Sequence, residues 1–376
     1  MQRSSTTRGT LRRAAVALAA GSLVLGAAAC GSSSDTGTAA PGSTGGTAAA
    51  GGSGDKVGVS LITKDSTNPF FVAMQKGAQA DAAKNNVDLT IASGAKDGDE
   101  QGQVQAIENA ISAGDKGILI TPNGPGVNAS IKKARDAGLF VIALDTPPDP
   151  ADTVDITFAT DNFKAGELIG QWADKQLAGK KATIALLDLF NDKVVSVDYN
   201  RDQGFLTGMG IDTKDKKKNA DEDKTGKYTG GDYTIACNEP TQGSEDGGRS
   251  AMENCLTNTP DINVVYTINE PAAIGAYNAL KAAGKEKNAI IVSVDGGCAG
   301  VKSVKNGIIG ATSQQYPLKM ATLGMEAIAK IARGGEKPKT SDGLDFFNTG
   351  VALVTDKKAD GVESISSDEG SKICWG

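Results

Sequence analysis

The sequence predicts an α/β protein whose body is built of two doubly wound parallel-sheet halves, and three observations carry that reading. From Lys56 onward, short Val/Ile/Leu runs alternate with stretches of helical spacing. The runs are continuously apolar rather than alternating with polar residues, as expected of strands covered by helices on both faces. The rhythm restarts after Asp161. Two similar halves of roughly 110–130 residues result, and a body of roughly 300 residues has room for two ordinary domains.

The elements follow in order. VGVSLIT (57–63) reads as a buried strand, residues 71–85 as a helix and residues 89–92 as the next strand. A helix over 101–113, the strand GILITP (117–122), a helix over 127–137 and the strand FVIALD (140–145) complete the first half. The second half opens with a helix over 165–177, the strand ATIALLDL (182–189) and a helix from about Asp202. It continues with a helix over 247–257, the strand NVVYTIN (263–269), a helix over 272–283 and the strand AIIVSVD (289–295). Residues 210–231 are polar and poorly periodic, which predicts an inserted loop. In open parallel sheets ligands bind beyond the carboxyl ends of the strands. Asn68, Asp145, Asn269 and Asp295 stand there, a set of hydrogen-bonding side chains suited to a polar ligand in a cleft.

The start of the chain reads as an export signal. Arg3, Arg8, Arg12 and Arg13 precede an apolar run over 14–29, too short for the ~20 residues of a spanning helix, and Cys30 follows directly. Ala27-Ala28-Ala29-Cys30 resembles a bacterial lipobox, with Ala27 where Leu is usual. Residues 1–29 are thus expected to be a signal peptide and Cys30 a lipid-modified N-terminus, with plain secretion as the alternative. Residues 30–54 are almost entirely Gly, Ser, Thr, Ala and Pro, the composition of a flexible tether to a membrane surface.

Composition narrows the chemistry. The chain holds 39 basic and 45 acidic residues, and without the four signal arginines 35 basic residues face the 45 acids. An acidic chain is a poor nucleic-acid binder, and its one basic cluster, KDKKK (214–218), sits in the polar loop. With no histidine, Ser-His-Asp and Cys-His catalysis and the commonest zinc ligand are excluded. The acidic clusters at 97–100 and 221–223 lack full calcium-loop spacing, so neither a metal nor a cofactor is expected. With Cys30 set aside, Cys237, Cys255, Cys298 and Cys374 form an even set in an exported chain. Of three pairings, Cys237–Cys255 closes a short loop and Cys298–Cys374 pins the C-terminus; that pairing is favoured over the other two and over free thiols.

Seven motifs then stand in a telling order: TNPFF (67–71), ALDTPPDP (143–150), ATDN (159–162), RDQGF (201–205), INEPAAIGA (268–276), VSVDG (292–296) and SQQYP (313–317). From Lys56 to Val354 the chain resembles the ribose-type periplasmic sugar-binding proteins of ABC transporters. Through GILITPNGP (117–125) and LLDLFND (186–192) followed by VVSVD (194–198) it looks closest to the fructose-transport receptors of actinobacteria. The resemblance implies two lobes joined by a three-crossing hinge, near residues 159–162, 293–297 and 313–317. It implies a first lobe of residues 55–160 plus 296–314, a second of 161–295 plus 315–356, and a tail over 357–376.

It also implies a monosaccharide ligand, a membrane permease as partner, a monomeric receptor and no catalysis. The family's ligand contacts map onto Asn68, Phe70, Phe71, Asp145, Arg201, Asn269, Asp295 and Gln315. The chemistry suits such a ligand: flat Phe rings cover an apolar sugar face, and carboxylates and Arg pair with hydroxyls through charge-assisted bonds. Two departures stand out. Thr146 occupies the place of a second family Arg, and TQGSEDGG (241–248) offers none of the expected aromatic, leaving Phe190 or Tyr199 to fill the gap. Competing readings are a glycosidase using Asp145 and Asp295, which needs a defined carboxylate separation, and a sensory co-receptor feeding a signalling protein. A transcription regulator of this fold would need a DNA-binding head where residues 1–54 hold a signal and tether.

Overall fold

The computed structural model describes residues 56–376; the expected signal peptide, Cys30 and the tether lie outside them. The elements are β1 (Val57–Thr63), α1 (Pro69–Ala82), β2 (Val87–Ser93), α2 (Glu100–Ala113), β3 (Gly117–Ile120), α3 (Asn128–Asp136), β4 (Phe140–Leu144) and β5 (Ile156–Ala159). Then come α4 (Asn162–Leu177), β6 (Ala182–Asp188), α5 (Ser196–Met209), β7 (Thr225–Tyr228), β8 (Gly231–Pro240), α6 (Glu245–Asn258), β9 (Val264–Thr267) and α7 (Glu270–Ala282). The chain ends with β10 (Ile290–Asp295), α8 (Cys298–Lys305), β11 (Ala311–Gln314), α9 (Pro317–Ala332), β12 (Phe347–Asn348), β13 (Ala352–Val354) and α10 (Ser367–Gly370).

Two sheets form, as predicted. The first, β12-β5-β4-β3-β1-β2, is parallel throughout. The second, β13-β11-β10-β9-β6-β8-β7, is parallel except where β13 and β7 pair antiparallel at its edges. Helices cover both faces of each. Met74 of α1 and Met325 of α9 pack on Leu61 and Ile142 in one cluster of the first lobe; Ile107 and Ile131 pack on Ile62 and Val141 in the other. In the second lobe Trp172 and Phe205 cover Ile184 and Tyr266, while Met252 and Leu280 cover Leu187 and Val265.

The lobe assignment implied by the resemblance needs correction. The first crossing falls between β5 and α4 as expected. Residues 296–314, however, stay in the second lobe, because β11 pairs with β10 in parallel and α8 is the connection between them. The bend at 293–297 is therefore a strand-to-helix turn and not a crossing. The second crossing runs from β11 into α9, which packs on the first lobe, and the third returns between β12, paired with β5, and β13, paired with β11. Residues 315–348 thus leave the second lobe to which they were assigned. Nor is 357–376 a loose tail: Ile365 pairs with Val354, Trp375 pairs with Gly297, and α10 is closed by a Ser366/Glu369 capping box.

Both favoured disulfides are present, Cys237–Cys255 and Cys298–Cys374. Residues 210–231 make the predicted excursion only up to Lys224, after which β7 and β8 form a hairpin. The helix expected from Asp202 begins at Ser196, because eleven of the fourteen residues of α5 are buried and no apolar stripe marks its start. That burial comes from glycine. A Cβ on Gly166 of α4 would stand 2.1 Å from the Arg201 carbonyl, and one on Gly204 of α5 would stand 2.2 Å from the Phe163 carbonyl. Only glycine at these positions lets the two backbones touch.

Candidate functional site

The C-terminal ends of the strands from both sheets face one small cleft between the lobes, lined by Lys64, Asn68, Phe70, Phe71, Asp97 and Asp145 from the first lobe. The second lobe and the hinge supply Arg201, Asn269, Asp295 and Gln315, with Leu189, Val197 and Ile268 as apolar lining. All eight predicted ligand contacts are brought together. The enclosed volume is about 30 Å³. A far larger depression, about 960 Å³, lies on the outer side of the first lobe beside Lys132, Arg135 and Lys337. Convergent buried polar groups mark the small cleft and not the large one.

Backbone geometry aims the two aspartates. Asp145 directly follows β4 with φ of 64° and Asp295 ends β10 with φ of 146°, both on the positive side that L-residues rarely adopt. Such strain concentrates at ligand clamps. Asp145 Oδ2 accepts from Thr146 Oγ1 at 2.7 Å, while its Oδ1 is buried without a hydrogen-bond partner. The Thr146 hydroxyl thus orients the acid without adding a charge. Asp295 Oδ1 accepts from Gln315 Nε2 at 3.0 Å, so Gln315 serves hinge and cleft together.

Arg201 is delivered by α5. Its Nε donates to Asn162 Oδ1 at 2.7 Å and its Nη1 to the Ile268 carbonyl at 2.9 Å. Asp145 and Asp295 lie 3.7 and 4.0 Å from its guanidinium, too far for the short contacts of a closed ion pair. Burial pushes the Asp295 carboxyl up to about 7, against the pull of Arg201. Behind it Glu270, which takes hydrogen bonds from the Gly296 and Gly297 amides and from Thr312, is pushed up to about 8 by burial and then by Asp295.

The other predicted residues divide by role. Phe70 and Phe71 stand edge to face with centroids 5.4 Å apart, buried at the start of α1. Asn68 caps α1, accepting from the Phe70 amide at 3.0 Å. Asn269 caps α7 through its Oδ1 and donates its Nδ2 to the Gly243 carbonyl, so its polar atoms hold the cleft wall in place.

Two cleft residues, and a third residue that packs behind Phe70, escaped sequence reasoning. Lys64, 2 % exposed, faces Asp97 at 3.9 Å, and burial pushes the Asp97 carboxyl up. Lys64 follows directly on β1, where the strand-end rule that found Asp145 would have found it. Asp97 sits on a loop with no such signal. The third is Trp375: its ring packs edge-on against Phe70 at 5.3 Å, and its Nε1 donates to the Gln315 carbonyl at 2.9 Å. Trp375 thus backs Phe70 from behind and is not itself among the residues that line the cleft. Phe190 and Tyr199 line a separate depression with Asp198 and Asn219 and do not reach the cleft.

The cleft holds binding groups from two lobes and a hinge. Residues 59–337 match the model of the periplasmic binding protein domain. The ribose import binding protein of Escherichia coli K12 is 26 % identical over 277 residues, 73 % of this chain and 85 % of that protein. The galactofuranose-binding protein of the same organism is 28 % identical over 270 residues, 70 % and 78 % of the two chains. Among solved structures, an Agrobacterium vitis ABC-transporter solute-binding protein with bound D-fucose superposes with a TM-score of 0.68 at 25 % identity, covering 84 % of this chain and 99 % of that one. A Mycobacterium smegmatis protein in complex with β-D-fucofuranose shares the fold with a TM-score of 0.65 at 24 % identity, covering 75 % and 88 %. A match over most of the folded body, on a scaffold whose strand ends converge on one interlobe cleft, leaves one conclusion: the chain belongs to the periplasmic binding protein family, a family that binds its ligands without converting them.

Proposed function

We propose that this protein is an extracytoplasmic receptor that captures a neutral monosaccharide between its lobes and hands it to an ABC permease. The observation that carries the reading is the charge pattern of the cleft. Three carboxylates, Asp97, Asp145 and Asp295, stand with Lys64 and Arg201 around an aromatic wall. An excess of carboxyl groups over cations disfavours a sugar acid or phosphate, and spaced acceptors suit hydroxyl donors. Relatives named for ribose, allose and galactofuranose support the ligand class. Fructose or a related hexose is the favoured cargo, on the resemblance of residues 117–125 and 186–198 to actinobacterial fructose receptors, and ribose is the next; Thr146 in place of a charged contact adds a little weight to a hexose. The reading includes a lipid anchor at Cys30, a tether over 30–54 and a monomeric body.

Calorimetric titration of ligand-free protein with fructose, ribose, allose, galactose, glucose and myo-inositol tests it. One sugar binding at micromolar affinity or tighter supports the receptor reading and names the cargo. No heat from any of them in folded protein overturns the sugar reading.

A further inference from the structure

The cleft carries its charge in two groups. Arg201 stands with Asp145 and Asp295, and Lys64 stands with Asp97; among the described residues no ion pair joins one group to the other. A buried ammonium is costly unless it is both paired and hydrogen-bonded. Lys64 is 2 % exposed, yet its Nζ lies 3.9 Å from Asp97 Oδ2, beyond hydrogen-bond reach. Asp97 Oδ1 is buried with no hydrogen-bond partner. The pair balances its charge but leaves its hydrogen bonds unmade.

The gap is held open by the fold. Asn123, fully buried just beyond β3, braces both partners. Its Nδ2 donates to the Lys64 and Asp99 carbonyls at 3.2 and 3.1 Å, and its Oδ1 accepts from the Gly98 amide at 2.9 Å. The loop that bears Asp97 and the backbone that bears Lys64 are thus fixed to one side chain. From the second lobe Lys193 Nζ donates to the Gly98 carbonyl at 3.2 Å. Gly243 of that lobe faces the pair with bare backbone, since a Cβ there would stand 3.8 Å from Asp97 Oδ2.

A hydroxyl fits between such partners, because it accepts and donates at once. An oxygen about 2.8 Å from the ammonium and about 2.7 Å from the carboxylate spans the 3.9 Å separation with an angle of about 90° at the oxygen. A methyl group there would leave both charges unsatisfied, and a carboxylate or an ammonium would meet its own sign on one side. Asp97 is also the most exposed of these charged side chains, 11 % against 4–6 % for Asp145, Arg201 and Asp295. The pair therefore reaches the rim of the cleft, where an arm projecting from a sugar ring would lie.

We propose that Lys64 and Asp97, held by Asn123, read one exocyclic hydroxyl of the sugar and so select a hydroxymethyl sugar over its deoxy counterpart. The assignment rests on the receptor reading and deepens it: Arg201, Asp145 and Asp295 are left to serve the ring hydroxyls. A site built to hydrogen-bond a hydroxyl rejects the analogue that lacks it, because its own buried groups then go unpaired.

The test is calorimetric titration with parent and deoxy sugars in pairs: D-fructose with its 1-deoxy and 6-deoxy forms, D-galactose, D-glucose and D-allose with their 6-deoxy forms, and D-ribose with its 5-deoxy form. Wild type is expected to bind its sugar at least about tenfold tighter than one deoxy partner. In Lys64→Met and in Asp97→Asn the parent should weaken at least about tenfold and that deoxy partner no more than about twofold, so the preference collapses. Urea unfolding checks that each variant is folded. The neutral pair Lys64→Met/Asp97→Asn, which strands no buried charge, serves if a single variant is not. Equal losses for parent and deoxy sugar, no loss at all, or a wild type without the preference would overturn the proposal while the receptor reading stands. Folded wild type that binds none of the parent sugars would overturn both.

Discussion

Cutting the Cys298–Cys374 disulfide should loosen the fold and weaken the ligand together, whereas cutting Cys237–Cys255 should only loosen the fold. The bonds close loops with sequence separations of 76 and 18 residues. On the loop-entropy relation these are worth about 4.5 and about 3 kcal/mol against the unfolded chain. The longer bridge has a second job. It fixes Cys374 to the first residue of α8 and so holds Trp375, whose carbonyl accepts from the Cys298 amide at 2.9 Å and whose ring supports Phe70. An edge-to-face aromatic pair is worth about 0.5–1.5 kcal/mol beyond its buried area, or about 2- to 12-fold in Kd if the loss falls on the bound form.

The experiment compares Cys298→Ser/Cys374→Ser, Cys237→Ser/Cys255→Ser and Trp375→Leu. Urea unfolding gives stability and calorimetry gives sugar affinity. The first variant is expected to lose both, the second stability alone, and Trp375→Leu affinity by about 2- to 12-fold with both disulfides intact. Equal affinities for Trp375→Leu and wild type would refute the claim that Trp375 positions Phe70. Equal affinity losses from the two disulfide pairs would show a general loosening instead.

Three further outcomes are expected. Asn at Asp145 or Asp295 keeps shape but removes a charged acceptor, so affinity should fall about tenfold or more with the folded circular dichroism spectrum retained; unchanged binding in both would sink the cleft model. Glu270 and Asp295 are raised in the folded state, so the stability they contribute is complete below their unfolded values near 4.5 and 3.8 and is lost as pH rises through about 8 and about 7. Ligand-free protein should therefore weaken between pH 5 and 8 by denaturant titration, and Glu270→Gln should flatten that slope. Gly166→Ala should push α5 off α4, because its Cβ meets the Arg201 backbone rather than a movable side chain; a variant with wild-type Tm and affinity would contradict this.

Much of this was legible because periodicity and strand-end chemistry are local. Buried runs such as 57–63 and 182–188 read as covered strands, and the polar Asn68 and Asp145 beyond β1 and β4 line the cleft. What stayed hidden depended on contacts between distant segments. β5 has only four residues, and α5 is buried all round, so neither carries a readable pattern. One of the three hinge crossings, at 293–297, was misplaced because alternating strands and helices look alike whichever lobe they join; only the pairing of β11 with β10 decides it. Trp375 lies 305 residues from Phe70 in the chain, and no local rule couples them.

The spacing around Arg201 also says why closure should need a ligand. A purely structural arginine would close on its acids to short contacts; here both hydrogen bonds go instead to Asn162 and the Ile268 carbonyl. Asp145 and Asp295 are left 3.7 and 4.0 Å away, with Asp145 Oδ1 buried and unpartnered. Shutting the cleft on itself removes these acceptors from water without giving them donors, a desolvation cost that the spaced charges do not offset. A polyhydroxyl ligand supplies the donors and shields the acids from each other. Its contacts with both lobes exist only when the lobes are closed, and that difference is what a ligand needs to shift an open–closed equilibrium. On the proposed reading, the groups that would bind the sugar are the same ones whose unpaired acceptors make a closed, ligand-free cleft costly.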